Sequence, residues 1–222
     1  MSGSNDAPDL DFAAAVTDNA AALSGYYRWH ARLYDATRWS FLFGRAALIR
    51  SIAQRVDPPR RILEVGCGTG ENLLRLAGQF PNAALTGLDL SPDMLARAQR
   101  KLAKRALPVV LRQQRYEQPI SAEPAFDLIV FSYCLSMINP GWELALNAAL
   151  RDLQPGGYLA VADFHDTRFS WFQRWMAVNH VRMNGHLLPN LHVRCAPLHE
   201  TIQAAYGGLW RYFCFIGQKR DE

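Results

Sequence analysis

Cysteine is scarce in this chain: Cys67, Cys134, Cys195 and Cys214 are the only four in 222 residues, and none stands in a C-x-x-C pair. With no histidine cluster at zinc spacing either, the sequence excludes a disulfide framework and a structural zinc site, and the expectation is a reduced, cytoplasmic protein without a metal. Long apolar runs are missing too. No stretch approaches the roughly 18 uninterrupted apolar residues of a membrane span, so any membrane contact is expected to be peripheral, at the inner face. Met1 to Asp11 is acidic and carries Gly, Ser and Pro, not the basic start and apolar run of a secretory leader. Acid is absent from the stretch that holds Arg97, Arg100, Lys101, Lys104, Arg105, Arg112 and Arg115. Such a run is either a solvated helix face or a surface turned toward phosphates. Repeats and low-complexity linkers are absent.

What is present is enough apolar residue, half of the chain, to bury one substantial α/β core. Residues 1–10 read as a disordered tail. Residues 11–57 read as a helical lid: an Ala-rich stretch to Ala22, an aromatic-dense segment from Tyr26 to Phe43, and a helix over 46–55 that stops before Pro58-Pro59. From residue 58 to 222 the chain alternates. Strands are predicted at 62–65, 83–88, 109–111, 126–132 and 158–162. Helices are predicted at 71–79, at 92–105 with Ser91 as N-cap and Pro92 in its first turn, and at 142–152. Pro155-Gly156-Gly157 reads as the turn before the fifth strand. An aromatic helix over 169–183 and two more strands, 198–204 and 209–217, complete the pattern. The expected fold is a Rossmann-like, seven-stranded, mostly parallel sheet with helices on both faces and an N-terminal helical lid.

In a doubly wound sheet the ligand lies beyond the carboxyl ends of the strands. Gly66, Gly68 and Gly70 follow the first strand, where a backbone without Cβ can approach a ligand and the next helix offers unpaired N–H groups. A glycine-rich loop alone is weak evidence. Glu64 sharpens it, because a carboxylate just before the loop suits a ligand with a cationic amino group better than a pyrophosphate, and the loop lacks the Gly-Lys-Ser/Thr ending of a phosphate loop. Asp89 ends the second strand, placed to accept both hydroxyls of a ribose. Adenosine with an amino-acid tail fits these constraints.

The segments E-V-G-C-G-T-G, L-D-L-S-P-D-M-L and L-x-P-G-G, between Arg60 and Asp163, resemble the class I methyltransferase superfamily. The resemblance implies S-adenosyl-L-methionine as cofactor. It places the backbone of the loop, Gly66, Cys67, Gly68 and Gly70, on the methionine moiety, Asp89 on the ribose, Leu90 and Met94 on the adenine faces, and Ser132 at the cofactor edge of the fourth strand. The family often has Asp after the third strand for the adenine amino group. Here Arg112-Gln113-Gln114-Arg115 stands in that region, so Gln114 would substitute through its side-chain oxygen.

The fold does not name a methyl acceptor. The flanking segments do more. Tyr26-Tyr27-Arg28-Trp29-His30, Tyr34 to Arg38, Ser132 to Ile138, Asp163-Phe164-His165-Asp166, Val181 to Pro189 and Tyr206-Gly207-Gly208-Leu209-Trp210 resemble the betaine-lipid synthase methyltransferases, which trimethylate the homoserine nitrogen of diacylglyceryl-homoserine. The residues are compatible with such chemistry, because a neutral amine needs positioning and desolvation more than acid–base help, and a nascent quaternary cation is attracted by aromatic faces. Tyr27, Tyr34 and Tyr133 are candidates for that wall, Tyr34 alternatively for the cofactor carboxylate. His165, with a pKa near neutrality, or Asp163 would take the amine proton; Asp163, His165 and Asp166 as a mere hydrogen-bonded turn is the plain alternative. Arg38 or Arg182 would pair with the homoserine carboxylate. Residues 164–195 form the expected acceptor-facing insertion, in which Trp171, between Arg168 and Arg174, either faces lipid or packs on the sheet. The expected partners are a lipid headgroup or small amine and the enzyme that forms the homoserine lipid. Nucleic acid is not expected, because S-Y-C-L-S-M follows the fourth strand where base-amine methyltransferases carry Asn/Asp-Pro-Pro-aromatic. The alternative function is methylation of a soluble amine, phenol or carbon acid.

Overall fold

A computed structural model describes residues 42–178 and 180–220. The expected tail and most of the expected lid lie outside them. Helix α1 (Arg45–Arg55) leads into β1 (Arg61–Val65), α2 (Glu71–Gln79), β2 (Ala84–Asp89), α3 (Pro92–Ala103), β3 (Val109–Gln113), β4 (Phe126–Ser132), α4 (Trp142–Asp152) and β5 (Leu153–Phe164). Then come α5 (Ser170–Val178), α6 (Leu187–Arg194), β6 (Cys195–Ala205), a single 3-10 turn at Tyr206–Gly208 and β7 (Trp210–Lys219). The strands form one seven-stranded sheet in the order β3-β2-β1-β4-β5-β7-β6. β1 to β5 run parallel, and β7 is antiparallel to both β5 and β6.

Strand alternation builds two cores. Ile62, Leu128, Val130, Ala160, Ala162, Cys214 and Ile216 face one side, where Leu48 and Ile52 of α1, Leu73 and Leu76 of α2, Ala98 and Leu102 of α3 and Phe172 and Met176 of α5 cover them. Their neighbours Leu63, Val65, Ile129, Phe131, Leu159, Val161, Phe213 and Phe215 face the other side, under Ala145, Leu146 and Ala149 of α4 and Leu187, Leu188 and Leu191 of α6. A period of two along each strand therefore dictates both layers.

Local chemistry sets the ends of the elements. Ser91 caps α3 with its hydroxyl on the Met94 N–H at 3.3 Å, and Pro92 opens the helix. The expected Pro155-Gly156-Gly157 turn is instead absorbed into β5. Its register on β4 slips between Phe126↔Leu153 and Leu128↔Tyr158, and Gly156 takes φ +71°, so the three residues form an irregularity inside a longer strand. The expected helix over 169–183 also ends early. α5 stops at Val178, and His180 adopts φ +61°, a left-handed conformation that breaks helical continuation. α6 was not expected from the sequence; it buries Leu187, Leu188 and Leu191 and tolerates Pro189 because the first turn needs no intrahelical donor.

Parallel pairing brings the carboxyl ends of β1, β2, β3, β4 and β5 to one rim. Because Phe164 at the end of β5 pairs with Tyr212 near the start of β7, the turn at Tyr206–Gly208 joins the same rim. No helix among the described residues is long and apolar enough to cross a membrane.

Candidate active site

The loop after β1 is fixed from three directions. Gly66, Gly68 and Gly70 have φ of +69°, +54° and +75°. A Cβ on Gly66 would meet Cys134 Sγ at 2.6 Å, so the loop after β4 packs directly on it and only glycine fits. Cys67 is buried and its N–H donates to the Leu88 carbonyl at 2.8 Å, while the Gly70 N–H closes onto the Cys67 carbonyl at 3.0 Å and Gly70 opens α2. The Gly68 N–H donates to Asp89 Oδ2 at 2.8 Å.

Asp89 is thus already half engaged. Its Oδ1 accepts from the Ser91 N–H at 2.9 Å, and each carboxylate oxygen retains a second lone-pair direction, enough for a pair of hydroxyls. Glu64 is 1% exposed and its Oε1 accepts from Asn72 Nδ2 at 2.9 Å. Asn72, in the first turn of α2, orients that carboxylate, a role no sequence motif announced. Leu90 is 53% exposed and lies open at the rim, whereas Met94 is buried. The Gln114 N–H donates to the Asp89 carbonyl at 3.2 Å, and its exposed side chain stands at the end of β3. Its neighbour Gln113 reaches the Leu90 carbonyl through Nε2 at 3.3 Å, so two amides border that edge.

Ser132 ends β4, and its Oγ is buried without a hydrogen-bond partner, as is Asn72 Oδ1. Two orphaned polar atoms at the carboxyl edge of β1 and β4, beside a glycine loop and two carboxylates, fit a polar ligand at this rim. They suit the amino-acid and ribose parts of S-adenosylmethionine, which Glu64, Gly66, Ser132 and Asp89 would hold.

The acceptor side departs more from expectation. Asp163 is wholly buried. Its Oδ2 accepts from the N–H groups of Cys134 (3.2 Å) and Ser136 (3.1 Å), and its Oδ1 from that of Phe164 (2.8 Å). Burial pushes its pKa up to about 6 against the pull of those donors. A carboxylate enclosed in this way has no surface to offer an amine, so its task is to hold the loop after β4. Tyr133 is also enclosed. Its backbone takes φ +53°, its hydroxyl donates to the Phe43 carbonyl at 2.8 Å, and its ring meets Phe164 edge-on at 4.7 Å. An open aromatic wall made by this ring is therefore not what the fold presents; burial raises its phenol pKa.

His165 remains accessible. The residue follows β5 with its ring partly buried, its Nδ1 buried without a partner and its Nε2 3.8 Å from Asp166 Oδ2. Burial lowers its pKa, with Asp166 opposing and Arg211 adding to the shift, so the imidazole is neutral at physiological pH. Arg211 pairs with both oxygens of Asp166, Nε to Oδ1 at 2.7 Å and Nη2 to Oδ2, which keeps Asp166 ionised. Arg211, on β7, carried no sequence signal.

Arg182 is brought next to this group. Its N–H donates to the Ser136 carbonyl at 2.9 Å, and Asp166 bridges to Asn184. With the Asn184 amide nitrogen donating to His186 Nδ1, its oxygen accepts from Arg182 Nε at 3.1 Å and Nη2 at 3.2 Å. Trp171 sits on α5, 61% exposed. Tyr27, Tyr34 and Arg38 lie outside the described residues.

Comparison with known proteins agrees with this geometry. Residues 62–157 match the family model described as a methyltransferase domain. A trans-aconitate 2-methyltransferase of Methylobacterium nodulans is 38% identical over 103 residues, 46% of this chain and 38% of that protein. A demethylmenaquinone methyltransferase of Thermus thermophilus is 36% identical over 107 residues, 48% of each chain. The chain thus spans less than half the length of these curated relatives. Among solved structures, the N-methyltransferase NodS from Bradyrhizobium japonicum, in complex with S-adenosyl-L-homocysteine, superposes with a TM-score of 0.65 at 22% identity, covering 80% of this chain and 86% of that one. The fold is that of the class I methyltransferases, the S-adenosylmethionine-dependent family.

Proposed function

We propose that this class I methyltransferase domain transfers methyl groups to an amine, and that the amine is the homoserine nitrogen of diacylglyceryl-homoserine, methylated in succession to a trimethylated betaine lipid. The cofactor supplies an electrophilic methyl on a sulfonium. The chain supplies position, dryness and a place for the proton.

The observation that carries the amine reading is His165: a neutral imidazole at the carboxyl end of β5, with a buried, unpartnered nitrogen and an ion-paired Asp166 beside it. A neutral imidazole takes the proton from the substrate ammonium before attack, which frees the lone pair that displaces the neutral thioether from the methyl group. Arg182, tethered by Asn184 and Ser136, is the cation offered to the homoserine carboxylate, with Arg38 as a second candidate. Tyr27 and Tyr34 remain the candidate aromatic wall. The choice of this lipid rests on the resemblance of the segments around Tyr27, Tyr133, His165, Arg182 and Tyr206 to the betaine-lipid synthase methyltransferases, and the enzyme that makes the unmethylated lipid is the partner this reading requires.

A second reading is a soluble acceptor, favoured by the name of one curated relative, a trans-aconitate 2-methyltransferase. Mass spectrometry of lipids from cells expressing this chain with a homoserine-lipid producer separates the two. Headgroups bearing one, two and three methyl groups support the lipid reading; unmethylated headgroup beside folded, cofactor-binding protein refutes it.

A further inference from the structure

Helix α5 is two-faced in a way the fold does not require. Phe172 and Met176 are buried in the core over β5 and β7. On its outer side Trp171, Trp175 and Val178 are 61%, 50% and 79% exposed. At 100° per residue these three share one stripe with Arg174 between them. The rim extends the stripe. Arg168 lies over the Phe169 ring at 5.1 Å, and a Cβ on Gly208 would lie 3.7 Å from its guanidinium, so the turn at Tyr206–Gly208 is adjacent, with Tyr206 56% exposed. Beneath this outer tier Phe172 stacks on Trp210 at 5.4 Å and 12°.

Charge singles out the occupant. From Thr167 to Val181 the chain contains no acidic residue and two arginines, Arg168 and Arg174. Exposed indoles beside arginines, in an acid-free span, match the headgroup zone of an anionic bilayer, where indole rings settle at the polar boundary and cations are drawn to the surface. The patch also lies on the same rim as His165, five residues before Ser170. A protein resting on it turns its acceptor side toward the membrane.

We propose that the outer face of α5, with Arg168 and Tyr206, seats this protein on an anionic lipid surface. The proposal takes its purpose from the lipid-acceptor reading above but stands on the exposure and charge of this face.

Flotation of the full chain with vesicles of phosphatidylcholine, with and without phosphatidylglycerol, tests it without any methyl acceptor. The expected result is binding to the anionic vesicles, weakened by salt. The pairs Trp171→Ser/Trp175→Ser and Arg168→Gln/Arg174→Gln should each lower it by about tenfold or more. Affinity for S-adenosylhomocysteine should be unchanged in both, which checks their folding. Independently of variants, brominated lipid should quench part of the tryptophan fluorescence of the unaltered protein. Failure of the unaltered protein to float, variants that float equally well, or a dimer that Trp171→Ser dissolves would each overturn the proposal. Methylation of micelle-dispersed lipid without vesicle binding would refute this seat alone; vesicle binding without methylation would refute the acceptor alone.

Discussion

The Gly68 N–H donates to Asp89 Oδ2 at 2.8 Å, so the carboxylate that we assign to the cofactor ribose is also the strut that holds the glycine loop. One side chain positions two halves of the cofactor cradle.

Asp89→Ala should therefore do two things. It removes a charged acceptor from the ribose and leaves the Gly68 and Ser91 N–H groups unpaired, so cofactor affinity should fall by about 2 kcal/mol or more and stability by about 1–3 kcal/mol. Calorimetry with S-adenosylhomocysteine and urea unfolding read the two losses separately. Loss of affinity with stability intact would mean that the strut does not matter.

Gly66→Ala places a methyl 2.6 Å from Cys134 Sγ at a φ of +69°. Cofactor binding should be abolished, and Cys134→Gly in the same chain should restore part of it by clearing the contact while leaving the backbone strain, about 1 kcal/mol or more. Equal defects in single and double variants would show that conformation alone excludes alanine.

The glycine loop, its strands and the Asp89 position were legible because each rests on local chemistry: strand alternation, a Ser91-Pro92 helix start, glycines at positive φ. The acceptor side was not. Asp163 reads in sequence as an exposed rim carboxylate, but its burial depends on the loop Tyr133 to Ser136 folding over it, a contact across 27 residues. Tyr133 likewise adopts a left-handed backbone that no non-glycine signal announces, and Arg211 reaches Asp166 from 45 residues away. Long-range pairing, not propensity, decides these groups.

Asp163 carries a pH signature. Its folded pKa, about 6, lies above its ordinary value of 3.8, so the folded state holds the proton more tightly. That contribution is full below pH 3.8 and is lost as pH rises through about 6. The stability of the unaltered protein relative to Asp163→Asn should accordingly shrink between pH 4 and pH 7, as read by urea midpoints. A flat difference would show that burial does not perturb this carboxyl. Asp163→Ala, which strands three N–H groups, should cost about 3 kcal/mol or more.

His186 has the opposite sign. Burial, aided by Arg182, lowers its pKa from 6.5 to about 4, and its ring meets Trp142 edge-on at 5.0 Å. Its contribution is present above pH 6.5 and is lost as pH falls toward 4. Nuclear magnetic resonance should show this imidazole still neutral at pH 5; a midpoint near 6.5 would place the ring in water.

His165→Gln should lower turnover by about 10²–10⁴-fold with cofactor affinity unchanged, if the imidazole takes the amine proton. In the unaltered enzyme the acid limb due to His165 should lie below pH 6.5, since burial depresses its pKa. Full activity in His165→Gln would return the proton to water.

The stack of Phe172 on Trp210 joins α5 to the first residue of β7, and β7 is hydrogen-bonded along β5 from Tyr158 to Phe164. Helix, hairpin and β5 are therefore mechanically joined. Under the proposed membrane seat, a load on the outer indoles is passed to the whole rim, and the angle at which the protein rests would fix the direction from which an acceptor enters.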